Sequence, residues 1–349
     1  MPVPTTRARH GTVRAVDGTF WRTAPVPDGV VLEPLLDRAM DRSGPLATTS
    51  AVVVVHHDRI VAERYQPTPP AHPQGEPVGV TTPLLSWSMA KSVLHAAVGL
   101  LVADGRLALD QPAAVPGWQS PGDPRRSITL DDLLSMRDGL DFAEDYTDVD
   151  ASDVIEMLFG AGKHDVAGFA ADRPLAAPPG TRFNYSSGTS NIVSGVLART
   201  LGPGEPYRQF LAERLFEPIG AMSMTPTFDD AGTWIASTFL HATARDFARF
   251  GLLYLHDGLW EGRRILSEPW VETARHARSV DPTDGQVHSN HWWVDGGTFA
   301  CLGYGGQSIT VTPAADLVVV RLGDTPAERY PELREWRRSI VAAFTQAPS

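Results

Sequence analysis

Ser88-Met89-Ala90-Lys91 sets a hydroxyl three residues ahead of an amine, where apolar spacing predicts a buried helix from Ser88 to about Ala103. Residues three apart share a helix face, so the two groups fall within hydrogen-bond reach. A first helical turn also leaves backbone N–H groups unpaired, and such donors suit an oxyanion developing beside a serine. A lysine near its ordinary pKa of about 10.4 is a poor base at neutral pH. Bringing it to about 7–8 takes burial or a neighbouring cation. Leu84, Leu85, Trp87, Met89 and Val93 offer that apolar cover. The same residues also read as a plain N-cap followed by a solvated first-turn lysine. Two facts weigh against that alternative. A cation in the first turn opposes the helix dipole. And of 30 basic residues only Lys91 and Lys163 are lysines. Arginine does not deprotonate in proteins, so a lysine kept at this place points to a titratable amine. Lys163, in the Gly-flanked stretch 160–164, carries no such signal.

The elements that would hold this motif are legible on both sides of it. Apolar spacing predicts a helix over Val31–Arg42, followed by a hairpin of Ala51–Val55 and Arg59–Tyr65 around His56-His57-Asp58. Pro67 to Pro83 is rich in proline and reads as loop. Thr129 and Asp132 form a capping-box pattern that opens a helix Leu130–Arg137, with Gly139 placed to end it. Further helices are expected at Ser152–Phe159, Thr189–Thr200, Pro206–Phe216 and Ala244–Leu255. Strands return at Ser308–Thr312 and Leu317–Leu322, and a last helix runs from about Pro331 to Phe344. No fixed-period repeat is present. Strands at both ends with helices between imply an α/β (α+β) domain built from both termini with a helical insertion.

Composition mostly excludes partners. The chain has 349 residues, 42% hydrophobic, and a formal charge of −11, which disfavours nucleic acid and anionic membrane surfaces. Cys301 is the only cysteine, so neither an intrachain disulfide nor a cysteine zinc site is available. A polar N-terminus without an apolar core and the lack of any long apolar stretch lead to the expectation of a cytoplasmic protein. The pairs His56-His57 and His288/His291 have no ligand framework around them, so neither metal nor cofactor is expected.

Three more segments bring a family into view. Pro178-Pro179-Gly180-Thr181-Arg182-Phe183-Asn184-Tyr185-Ser186-Ser187 resembles the second motif, usually Y-x-N, of the class C β-lactamase-like and penicillin-binding-protein-type serine hydrolases. Residues 128–140 resemble the helix that follows their nucleophile helix, and residues 243–255 a further stretch typical of them. The resemblance runs from about residue 30 to the C-terminus. It implies a β-lactamase-like fold, an antiparallel sheet flanked by helices with an inserted all-helical domain. The implied division is an extension over 1–30, a sheet domain from 31–92 and 236–349, and an inserted helical domain over 93–235.

By the same resemblance Ser88 is the acylated nucleophile, Lys91 its proton acceptor and Tyr185 the second acid or base. Ser187 stands where the family usually has Asn. The third family motif, K-T-G or H-x-G, has its best counterpart in Tyr304-Gly305-Gly306-Gln307, which implies that Tyr304, Gly305 and Gly306 line the oxyanion and substrate side. The usual cation there is replaced by Tyr304, which counts against penicillins and peptidoglycan as substrates. Phe142-Ala143-Glu144-Asp145-Tyr146-Thr147-Asp148 resembles the mobile loop of aminohexanoate-oligomer hydrolases and their family VIII carboxylesterase relatives, so Tyr146 would close over substrate. An acidic solvated loop in which Tyr146 merely packs is the other reading. The expectation is therefore a serine hydrolase of small amides or esters. An acyltransferase through the same intermediate, and a silent binding or sensor protein on the same fold, are the alternatives, and a homodimer is one option for assembly.

Overall fold

Ala51–Val55 offers no polar residue to either alternating face, as a strand covered on both sides requires. In the computed structural model, which describes residues 21–67, 77–146, 148 and 151–346, it forms the middle of the strand Thr49–His56. Val53 and Val55 belong to the larger core, while Val52 and Val54 join a smaller cluster with Leu36, Ala39, Trp336 and Ile340. The strand pairs with Arg59–Tyr65 on one side and Leu317–Gly323 on the other, so chain ends far apart in sequence meet. Val53 lies opposite Val320 and Val55 opposite Val318. The antiparallel sheet continues through Gln307–Thr312, Thr298–Gly303, Trp293–Asp295, Val287–His288 and Ser279–Val280. His57 (φ 48°) and Asp58 (φ 60°) make the tight hairpin turn, a left-handed pair suited to the strand twist.

Helices cover both faces. Glu33–Met40 and Tyr330–Thr345 lie on the outer one, tied by Trp336 Nε1 donating to the Leu35 carbonyl at 2.8 Å. Ala244–Leu255 lies against the inner face, where a Cβ on Gly251 would come within 2.6 Å of Val318. Met89–Ala103 is mostly apolar and buried along almost its whole length, as a central helix must be. Residues 104–235 hold the helices Leu130–Leu134, Asp153–Phe159, Val166–Ala171, Ser187–Leu201 and Glu205–Leu211. Among the described residues this stretch adds no strand to the large sheet.

Several expectations shift. The capping box forms, with Asp132 N donating to Thr129 Oγ1 at 3.1 Å and Thr129 N to Asp132 Oδ2 at 2.9 Å. Its helix ends at Leu134 rather than Arg137, because Met136 turns into the left-handed region at φ 57°. Gly139 does not end the helix; a Cβ there would strike the Ala177 carbonyl. The helix expected over Pro206–Phe216 changes to a π turn at Ala212–Phe216. Residues 22–24 lie beside the first hairpin, with Ile60 N donating to the Arg22 carbonyl at 2.9 Å. Most of the expected extension, 1–20, and part of the proline-rich loop, 68–76, lie outside the described residues. The three short strands over 279–295 and the helix Glu268–Arg275 have no counterpart among the sequence expectations. Among the described residues no helix is long and apolar enough to cross a membrane.

Candidate active site

The site forms where the central helix begins. Ser86 is anchored by its N–H to the Leu240 carbonyl at 2.8 Å and by its hydroxyl to that of Thr238 at 3.1 Å. Trp87 then takes φ 47°, an uncommon conformation for a bulky side chain, and turns the chain so that Ser88 opens the helix. Ser88 occupies the N-cap position, yet its hydroxyl makes no cap bond and instead accepts from Lys91 Nζ at 2.9 Å. Lys91 is only 2% exposed. Its ammonium also donates to Ser187 Oγ at 3.1 Å and to the Ser237 carbonyl at 2.9 Å, with no carboxylate in direct contact. Burial lowers its pKa to about 8, against an opposing pull from Glu144. The solvated first-turn lysine is thereby excluded.

Tyr185 precedes Ser186, which caps the helix Ser187–Leu201 by accepting from Thr189 N at 3.0 Å. Its phenol lies toward Ser88, which acts against the upward shift of its pKa, and its ring centroid lies 5.0 Å from Lys91 Nζ. Trp293 supports the ring from 5.5 Å, and His288 meets it edge-on at 6.1 Å. Burial raises its pKa, so at neutral pH the group is a phenol. Ser187 also faces Lys91, and behind it stands Glu144, which takes the Ser187 N–H at 2.8 Å and the Ser187 hydroxyl at 2.7 Å. Glu144 thus holds a helix N-terminus and orients a neighbour of the amine. Its loop is fastened by Ala143 N donating to Asp153 at 2.8 Å and by Asn184 Nδ2 donating to the Phe142 carbonyl at 3.2 Å.

The outer rim is aromatic. Tyr304, 44% exposed, lies 5.3 Å from both the Trp87 and Tyr146 rings, and the Tyr146 hydroxyl donates to Glu144 at 2.5 Å. Thr147, the next residue of that loop, lies outside the described residues. Gly305 and Gly306 stand behind the rim. Gly305 N donates to Tyr330 Oη at 2.9 Å. Both glycine carbonyls accept from the buried Arg321, at 2.8 and 3.1 Å. Gly303 makes the close approach instead, for a Cβ there would lie 2.5 Å from the Ser86 carbonyl. Cys301, two residues back on the same strand, is buried in the core, and burial raises its thiol pKa.

Ser88, Lys91, Tyr185, Ser187, Tyr146 and Tyr304 therefore meet in one place, while Gly305 and Gly306 support it from behind. Sequence reasoning gave no role to Glu144, Gly303, Trp293 or the Ser237 carbonyl. Glu144 lay inside a motif already singled out, but an acid in an acidic loop carries no distinguishing signal. A carbonyl carries none at all. Of the paired histidines, His291 is engaged in the core: Nδ1 donates to the Leu134 carbonyl at 2.8 Å, and Nε2 pairs with Ser190 Oγ at 2.9 Å, while His288 packs against the Tyr185 ring.

The profile of the beta-lactamase family matches residues 46–343, a span that contains every one of these side chains. The chain belongs to the beta-lactamase family. Among its relatives is the 6-aminohexanoate-dimer hydrolase of Paenarthrobacter ureafaciens, 29% identical over an alignment of 274 residues that covers 72% of this chain and 68% of that one. A Bacillus anthracis structure provisionally named as a 6-aminohexanoate-dimer hydrolase superposes with TM-score 0.76 at 21% identity, covering 95% of this chain and 89% of its own. A family VIII carboxylesterase superposes with TM-score 0.69 at 16% identity, over 91% of this chain and 99% of the other. These two likenesses speak to the fold. This member of the beta-lactamase family thus has a β-lactamase-like sheet with helices on both faces, and it has a hydrolase among its relatives.

Proposed function

We propose that this protein is a serine hydrolase that cleaves small amides or esters through an acyl-enzyme on Ser88. The observation that carries the reading is the Lys91 amine: buried, near pKa 8, and bonded to the Ser88 hydroxyl at 2.9 Å. In its neutral form the amine has two N–H groups and one lone pair. Ser187 Oγ and the Ser237 carbonyl take the two N–H groups. The lone pair is left facing Ser88, as a general base requires.

Ser88 Oγ attacks the acyl carbon while its proton passes to Lys91. The oxyanion is met by the Ser88 N–H at the helix start and by backbone at the Gly303–Tyr304 edge. Tyr185, a phenol beside Lys91 and Ser88, gives its proton to the departing amine or alcohol and is reprotonated from Lys91. Water then attacks the ester, Tyr185 and Lys91 return the proton to Ser88, and a carboxylic acid leaves. Trp87, Tyr146 and Tyr304 form an uncharged wall for the acyl or leaving group. A substrate without an anionic group suits such a rim. The intact Ser88–Lys91–Tyr185 set argues against a silent binding protein.

A fluorophosphonate that labels active serines tests the nucleophile. Intact mass should show one adduct on the wild type and none on Ser88→Ala. An unlabelled wild type, or equal labelling of both, overturns the assignment. A panel of short-chain nitrophenyl esters, aminohexanoate dimers and a chromogenic cephalosporin then ranks the substrates, with turnover expected for the first two classes.

A further inference from the structure

The outer side of the sheet carries a second concavity, which Ser88, Lys91, Tyr185 and Tyr304 do not line. It lies between the strands Trp293–Asp295, Thr298–Gly303 and Gln307–Thr312 and the last helix, and encloses about 390 Å³. Much of its wall is apolar, with Val294, Ala300, Leu302, Val341 and Ala342 contributing. Three arginines of the last helix also line it, and they differ in one respect. Arg334 pairs with Asp284 at 3.3 Å and Arg338 with Asp295 at 2.8 Å. Arg337, between them, has no ion pair or hydrogen bond among the described residues, and its Nε is shut off from solvent without a partner. Thr310 Oγ1, on the strand floor of the same cavity, is likewise buried without a partner.

Arg337 is half-buried, and a guanidinium nitrogen taken from water without an acceptor is costly. Burial lowers the Arg337 pKa to about 10, which leaves the group charged at neutral pH. A cation and a hydroxyl, both short of an acceptor and both on one cavity, form a receptor for an anion. The neighbouring arginines already have carboxylates, so one positive charge remains to be matched. One charge and apolar walls fit a monoanion with an alkyl body better than a phosphate. We propose that this cavity binds a small aliphatic monocarboxylate, its carboxylate on Arg337 and Thr310 and its chain along Val294, Leu302 and Val341. Trp293 lines the cavity and also lies 5.5 Å from Tyr185, so an occupant abuts a side chain that supports the active site.

Calorimetric titration of the full chain with octanoate tests this, with 1-octanol and inorganic phosphate as controls. The expected result is saturable one-to-one binding of octanoate, about tenfold or more tighter than either control. Arg337→Gln should weaken octanoate by a similar factor without lowering the melting temperature, since it removes an unpaired charge. Val341→Trp, which fills the cavity and keeps the charge, should also abolish binding. Absence of saturable binding overturns the proposal, as does equal affinity in wild type and Arg337→Gln. Loss of octanoate binding on labelling Ser88 with the phosphonate, with Arg337→Gln unaffected, would place the ligand in the catalytic cleft and overturn it too.

Discussion

Two basic side chains lie buried in this protein, one at the candidate site and one within the sheet, and their surroundings differ in kind. Lys91 sits beside Ser88 with two hydroxyls and a carbonyl around it. Arg321, 0% exposed, reaches Thr49 Oγ1, Thr325 Oγ1 and the carbonyls of Gly305 and Gly306. Neither has a carboxylate in direct contact, so burial is not what separates them. The head group is. A planar guanidinium with five donors fastens four acceptors and keeps its proton, holding the turn behind Tyr304 in shape. An amine offers fewer bonds but exchanges a proton in the working range of pH. One cation fixes the scaffold; in the proposed mechanism the other moves a proton.

Exchanging the two head groups is the direct way to break that comparison. Lys91→Arg keeps the charge and removes the titration, so kcat/KM for a nitrophenyl ester should fall about 10²–10⁴-fold. Retained activity in that variant would remove the base from the mechanism. Arg321→Lys should do the reverse: it leaves several buried acceptors unpaired, costing roughly 2–4 kcal/mol in urea unfolding, while kcat in the surviving native protein changes only a few-fold. A large loss of kcat at unchanged stability would show that Arg321 acts on the reaction itself.

Smaller effects follow from the field around Lys91. With Lys91 as base, kcat/KM should rise with pH along a limb near 8, an apparent value belonging to the Lys91–Tyr185 pair. Glu144 holds the amine's pKa up, so Glu144→Gln should move that limb to lower pH and loosen Ser187, with a modest change in rate. A limb that stays in place would separate Glu144 from the amine. Stability should respond to the same group. Between about 8 and the ordinary 10.5 the unfolded chain holds a proton that the folded one has lost. Stability should therefore rise with pH across that window, by about 3 kcal/mol at most, and Lys91→Met should flatten the rise.

Much of this arrangement was legible beforehand because it rests on local pattern. The Ser88–Lys91 spacing, the Val-rich strand, the capping box at Thr129 and the helix Ala244–Leu255 each depend on a few adjacent residues. What stayed hidden depends on contacts made across the chain. The short strands over 279–295 have too few residues to show alternation. Gly303 could not be told from Gly305 and Gly306 until Ser86 was seen to lie against it. Arg321 in a run of valines gave no hint that its acceptors come from Thr49 and a distant glycine turn. Glu144 acquires meaning only because Ser187 closes on it from the far side of the site.

Cys301 gives the buried strand a clock. It is the chain's single thiol, enclosed in the core two residues from Gly303, on the strand that reaches Ser86 beside Ser88. A thiol reagent can reach it only when that strand parts from the central helix, so the labelling rate counts how often the edge of the site opens. Comparing that rate in free and Ser88-phosphonylated protein would time the breathing of the site in a chain that needs no engineered probe.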